Sequence, residues 1–146
     1  MRLLCFATAV VFGSCDRSTT ATPEGRFRRF SELIRKGDAE NAFVMLSSSS
    51  QSALQRQSKT LSEASKGTIK DEPAALAFAS ARRAHPLLSV TVQEQTEVKA
   101  VLNVRTCRLP LDARGECSKG ADVQETVTMV KEGSNWSVEL TELVMP

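Results

Sequence analysis

The stretch "LSVTVQEQTEVKAVLNVR" (residues 88–105) decides the fold. Leu88, Val90 and Val92 alternate with Ser89, Thr91 and Gln93, and Val98, Ala100, Leu102 and Val104 alternate with Glu97, Lys99, Val101, Asn103 and Arg105. A period of two puts alternate side chains on opposite faces of a strand, so this segment predicts two strands with one buried face. Downstream, Val123, Val127 and Met129 form a third alternating set, and Trp136, Val138 and Leu140 a fourth. "EGSN" (132–135) between the last two is turn chemistry.

Upstream the period is helical. Thr22-Pro23-Glu24 reads as a helix start, with Thr as N-cap and Pro in the first turn. Phe27, Phe30, Leu33 and Ile34 make one apolar stripe, and Gly37 ends it. Asp38 caps a second helix whose apolar face is Ala39, Ala42, Phe43 and Leu46. "SSSSQS" (47–52) predicts an interruption, because serines compete for backbone hydrogen bonds. Leu54 and Leu61 suggest a short, weak helical piece within 52–65, ended by Lys66-Gly67. Asp71-Glu72-Pro73 opens a further helix through Ala84, and Pro86 prevents its continuation. Helices followed by an antiparallel meander predict an α+β domain, its helices covering one face of the sheet.

The opening "MRLLCFATAVVFGSC" (1–15) has a different character. After Arg2 come ten uncharged residues, Leu3 to Phe12, about half of what a membrane span requires. One basic residue, a short apolar run and then small residues make a secretory signal. Phe12-Gly13-Ser14-Cys15 resembles the lipobox of bacterial lipoproteins, departing from it at Phe12, where an aliphatic residue is usual. That resemblance implies removal of residues 1–14, lipidation of Cys15 and a domain held at the bacterial envelope, facing the periplasm. Asp16 resembles the inner-membrane retention signal of enteric bacteria. The expected organisation is a signal peptide (1–14), a lipidated cysteine with a flexible tether (15–25) and one α+β domain (26–146).

Cysteine usage agrees with export. Cys5 lies in the signal and Cys15 at the lipidation position, which leaves Cys107 and Cys117. Zinc takes about four N/S ligands. This chain offers two spare cysteines and a single histidine, His85. A Cys107–Cys117 disulfide is therefore expected, closing the loop between the second and third strands. No metal and no cofactor are expected.

Removing residues 1–14 leaves 132, enough for one domain with a core. The net charge of +2 gives no mandate for nucleic acid. Its distribution is uneven: Arg17 to Lys36 holds six bases against Glu24 and Glu32, while Glu94 onward holds nine acids against six bases.

"GRFRRFSELIRKGDAENAFVMLSSSSQS" (25–52) resembles the opening helices of the nuclear-transport-factor-2-like, or ketosteroid-isomerase-like, superfamily, and "VTMVKEGSNWSVEL" (127–140) is similar to its closing hairpin. The resemblance spans residues 26–143. It implies a cone, with a strongly curved sheet wrapped around helices, often enclosing a pocket and often pairing into dimers. The isomerases of that superfamily build an oxyanion hole on Tyr and a protonated Asp. This chain has no tyrosine, so no catalytic residue is carried over.

Few residues invite chemistry. Glu125 falls in the register of Val123, Val127 and Met129, so it either sits on the apolar face as a pocket base or reaches solvent at a bulge or strand end. His85 follows a helix, and no nucleophile-elbow motif accompanies it. In "RFRRF" (26–30) the phenylalanines belong to the core stripe. Arg26, Arg28 and Arg29 belong to a solvated face that can also touch anionic headgroups. Two functions stay open. One is a non-catalytic scaffold that docks an envelope protein or a second copy of itself. The other is a carrier of a small apolar ligand in a pocket lined by Phe43, Leu46, Val98, Leu102, Glu125, Met129 and Trp136. No enzymatic role is expected.

Overall fold

A computed structural model of the chain describes residues 21–79 and 85–140. The signal segment, Cys15, Asp16 and the expected helical extension to Ala84 lie outside the described residues.

Thr22 caps the first helix, α1 (Pro23–Lys36), its hydroxyl accepting the Gly25 N–H at 3.1 Å. Gly37 ends it in the left-handed region at φ 77°, where a side chain is strained. The helix therefore takes in residues 23–25, which a domain boundary at 26 would leave to the tether. Asp38 caps α2 (Ala39–Phe43) through the Asn41 N–H.

The serine run does not interrupt. It starts α3 (Ser48–Ala64), a 17-residue helix. Ser47 is the N-cap, its Oγ accepting the Ser50 N–H at 3.2 Å and donating to Ser50 Oγ at 2.8 Å. The groups that a serine run would otherwise leave unsatisfied find partners on distant strands. The Ser48 N–H donates to Glu132 Oε1 (2.9 Å), the Ser49 hydroxyl to Glu139 Oε1 (2.8 Å), and the Leu140 N–H to Ser50 Oγ (2.9 Å). Two carboxylates at a helix N-terminus also suit its dipole. Helix α4 (Pro73–Phe78) follows and bridges α2 and α3.

Four strands, β1 (Leu87–Gln95), β2 (Lys99–Cys107), β3 (Asp122–Glu132) and β4 (Asn135–Glu139), form one antiparallel sheet in sequence order. The protein is α+β, as the change of period predicts. β2 and β3 pair in unbroken register from Lys99↔Val130 to Cys107↔Asp122. β1 carries two irregularities, between Leu87 and Ser89 and between Val92 and Glu94. The first shifts the face, so that Leu87 rather than Leu88 packs against the core. Gly133, at φ 62°, makes the two-residue turn into β4.

The core lies between α1 and the inner face of the sheet. Phe27, Phe30 and Leu33 of α1 and Leu54 of α3 pack with Val90, Ala100, Leu102, Val104, Met129, Trp136 and Val138. Met45 and Leu46, between α2 and α3, join them. This segment also closes the outer edge of β4. The Val138 N–H donates to Met45 O, and the Ser47 N–H donates to Val138 O, both at 2.9 Å.

Candidate functional site

The residues expected to line a cone pocket divide into three groups. Leu46, Leu102, Met129 and Trp136 belong to the packed core, with Phe43 half-buried against it. Val98 is 65% exposed. It falls in the β1–β2 turn, closed by the Thr96 N–H donating to Lys99 O at 2.7 Å, and only its carbonyl engages the sheet, accepting the Lys131 N–H at 2.8 Å. Strand alternation fails there because the chain has left the sheet.

Glu125 is exposed. It sits opposite the buried Val104 in continuous register, so no bulge turns it outward. β4 pairs only with Thr128–Glu132, and the half of β3 that carries Glu125 lies at the rim of a groove of about 560 Å³. Phe27, Phe30, Val127 and Leu140 line that groove, and Glu139 shares its rim. Glu125 thus keeps the inner-face register that the alternation predicts, yet it is exposed, because it lies beyond the end of β4 and not on a bulge or at an end of β3.

Cys107 and Cys117 are joined in a disulfide, Cα to Cα 5.8 Å. Cys107 is fully buried at the end of β2, where its N–H donates to Pro86 O at 2.9 Å. Asp112 holds the tip of the closed loop, its Oδ1 accepting the N–H groups of Arg114 (2.9 Å) and Glu116 (2.8 Å). Loop and β1 entry form one wall of a cleft of about 500 Å³ whose other wall is α1. His85 lines it with Pro86, Leu87, Pro110 and Leu111, facing Arg28, Ser31, Glu32 and Arg35.

The three arginines of "RFRRF" have separate fates. Arg26 is structural, its Nε donating to Trp136 O at 3.0 Å. Arg29 pairs with Glu32 at 3.1 Å, and Lys36 pairs with the same carboxylate at 2.6 Å. Their hydrogen bonds, that of Lys36 foremost, hold the Glu32 carboxyl below its usual range. Arg28 alone of the three turns to the cleft, joined there by Arg35, two turns further along α1.

A second cleft, about 450 Å³, lies between α3 and α4. Leu61, Ile69, Ala75 and Leu76 line it together with Ser58. Ser58 is 2% exposed and its Oγ has no hydrogen-bond partner. Periodicity missed this cleft, because the weak stripe of α3 marks Leu54 for burial and says nothing of Ser58. Among the described residues no three of His, Cys, Asp and Glu come together as a metal site, and no helix is long and apolar enough to cross a membrane.

No protein-family profile and no curated protein matches the chain. Among solved structures, a Campylobacter jejuni protein bearing the provisional name NTF2-like transpeptidase is similar over 82% of this chain and 99% of its own. The identity is 18% and the TM-score 0.46.

Proposed function

We propose that this chain is a bacterial envelope lipoprotein, processed before Cys15 and anchored there by lipid, whose nuclear-transport-factor-2-like domain is a non-catalytic docking module. The observation that carries the docking role is the outer face of the sheet. All the core-facing side chains and helices lie on the other side, and the outer face presents Thr91, Val101, Asn103, Thr126 and Val130. Asn103 Oδ1 is buried there without a hydrogen-bond partner. Such an acceptor is costly, and because its own neighbours already cover it, a donor from a strand or loop of a partner protein reaches it where those side chains part.

Photo-crosslinkers placed at Thr91 and Thr126 test this, with Arg56 on α3 as the control position. Adducts from the outer-face positions alone support docking, and an adduct of twice the chain mass identifies a second copy as the partner. Adducts only from Arg56, or from none of the three, overturn it. The anchor has its own test: Cys15→Ala leaves the protein unprocessed or soluble, and unchanged processing and membrane fractionation refute lipidation.

A second reading, a carrier of a small apolar ligand, is favoured by the α3–α4 cleft with its unpartnered Ser58 hydroxyl. Native mass spectrometry decides between them. An extra mass that leaves on denaturation, and is absent from Leu76→Arg, supports the carrier. A clean apo mass removes it.

A further inference from the structure

The geometry points to an oxyanion site in the cleft between α1 and the disulfide-closed loop, where Arg28, Arg35 and His85 bind a phosphate-type group, either free or as an anionic lipid headgroup. Arg28 and Arg35 are seven residues apart, so they share a helix face about 10 Å apart along the axis. Ser31 lies between them, and all three line the same cleft. Side chains as long as arginine's converge across that distance, with a hydroxyl at the midpoint as an additional donor.

The two guanidiniums are available. Arg26 and Arg29 have protein partners, whereas neither Arg28 nor Arg35 makes an ion pair or side-chain hydrogen bond among the described residues. One acid, Glu32, lines the cleft, and it is already clamped by Arg29 and Lys36. The nearby Asp112 is turned into its own loop, accepting two backbone N–H groups. The field in the cleft is therefore positive. Guanidinium forks match the paired oxygens of a phosphate, and arginine sheds water more readily than lysine does.

The facing wall distinguishes this place from an ordinary solvated helix face. Pro86, Leu87, Pro110 and Leu111 make it apolar. The Cys107–Cys117 disulfide and the Cys107 N–H to Pro86 O bond hold its two parts together. A low-dielectric wall strengthens the attraction of a bound anion, and it accommodates the organic substituent of a phosphate ester. The inference goes beyond the docking role of the outer sheet face and does not depend on it.

The test uses the full chain, an Arg28→Gln/Arg35→Gln variant, and an Arg56→Gln/Lys59→Gln control that removes two cations from α3. Each binds vesicles of phosphatidylglycerol or of phosphatidylcholine at matched salt. Each is also titrated with inorganic phosphate while the arginine Nε–H resonances are followed. The expected wild-type preference for the anionic vesicles is about tenfold, reduced to threefold or less in the cleft variant and kept in the control. Phosphate that shifts the Arg28 and Arg35 resonances and competes with vesicles identifies a free-phosphate site. Vesicle preference without phosphate shifts identifies a headgroup site. Unchanged vesicle preference in the cleft variant, with no phosphate shift in the wild type, overturns the inference. The substituted side chains are exposed, and unaltered melting of both variants separates lost binding from lost folding.

Discussion

Reduction of the Cys107–Cys117 bond gives the sharpest test of what holds the β2–β3 connection. The cystine closes an 11-residue loop. In the chain-entropy description, opening a loop of that length returns about 9 cal/mol/K to the unfolded chain, or roughly 3 kcal/mol at 25 °C. A domain of roughly 120 residues unfolds with an entropy near 0.25 kcal/mol/K, so the same loss lowers Tm by about 12 °C. The folded hairpin keeps other ties, including the Arg108 N–H to Ala121 O bond at 2.8 Å and the Arg105–Asp122 ion pair at 3.0 Å. The effect therefore belongs to the unfolded state and leaves the native circular dichroism unchanged. Thermal and guanidinium melts with and without a phosphine reductant measure it, with Cys107→Ala/Cys117→Ala as the permanent form. The denaturant slope rises on reduction, because a freed chain exposes more surface. A loss below about 1 kcal/mol with an unchanged slope refutes the reasoning.

Three further outcomes are expected. Leu102→Ala, in the fully buried centre of β2, costs about 3 kcal/mol, whereas Val98→Ala costs roughly 0.5 kcal/mol or less; equal losses in chemical denaturation refute the register drawn here. Ser47→Ala removes the cap of α3 and its bond to Ser50, costing about 1–2 kcal/mol, and Ser47→Thr, which keeps the capping hydroxyl, loses less in the same melts. Glu32 has a depressed carboxyl pKa, so its contribution is complete above the ordinary carboxylate range and is lost as pH falls through its folded value. Melts of wild type and Glu32→Gln therefore converge on acidification, more weakly at high salt, and a difference that persists in acid shows that Glu32 acts other than through its charge.

Legibility followed the range of the forces involved. Thr22-Pro23, Gly37 and Asp38 act on residues three or four away, so the limits of α1 and the start of α2 could be read directly. Alternation located the sheet and its inner residues for the same reason. The serine run misled because its partners, Glu132, Glu139 and Leu140, are 84 to 90 residues distant. Without them four serines are a turn; with them they begin the longest of the described helices. Leu88 and Val98 were misplaced because pairing, not periodicity, decides where a strand bulges or turns. Of the site, the disulfide was legible from the cysteine count, since two spare cysteines and one histidine are too few for a zinc site. The meeting of Arg28, Arg35 and His85 was not, because α1 and the β1 entry come together only in the fold.

The bonds between β4 and the helices have a consequence for how the chain is made. Trp136 O receives Arg26, Val138 brackets Met45 and Ser47, Glu139 receives Ser49, and the Leu140 N–H reaches Ser50. The last of the described strands thus completes α1, the α2–α3 connection and α3. Contacts across 90 to 110 residues carry a large loop-closure entropy, which slows their formation. A nascent chain that stops short of residue 135 lacks one of the strands that α1 packs on and the partners that the start of α3 bonds to. Folding then waits until β4 is available, and before that α1 and α3 have no closed core to pack into.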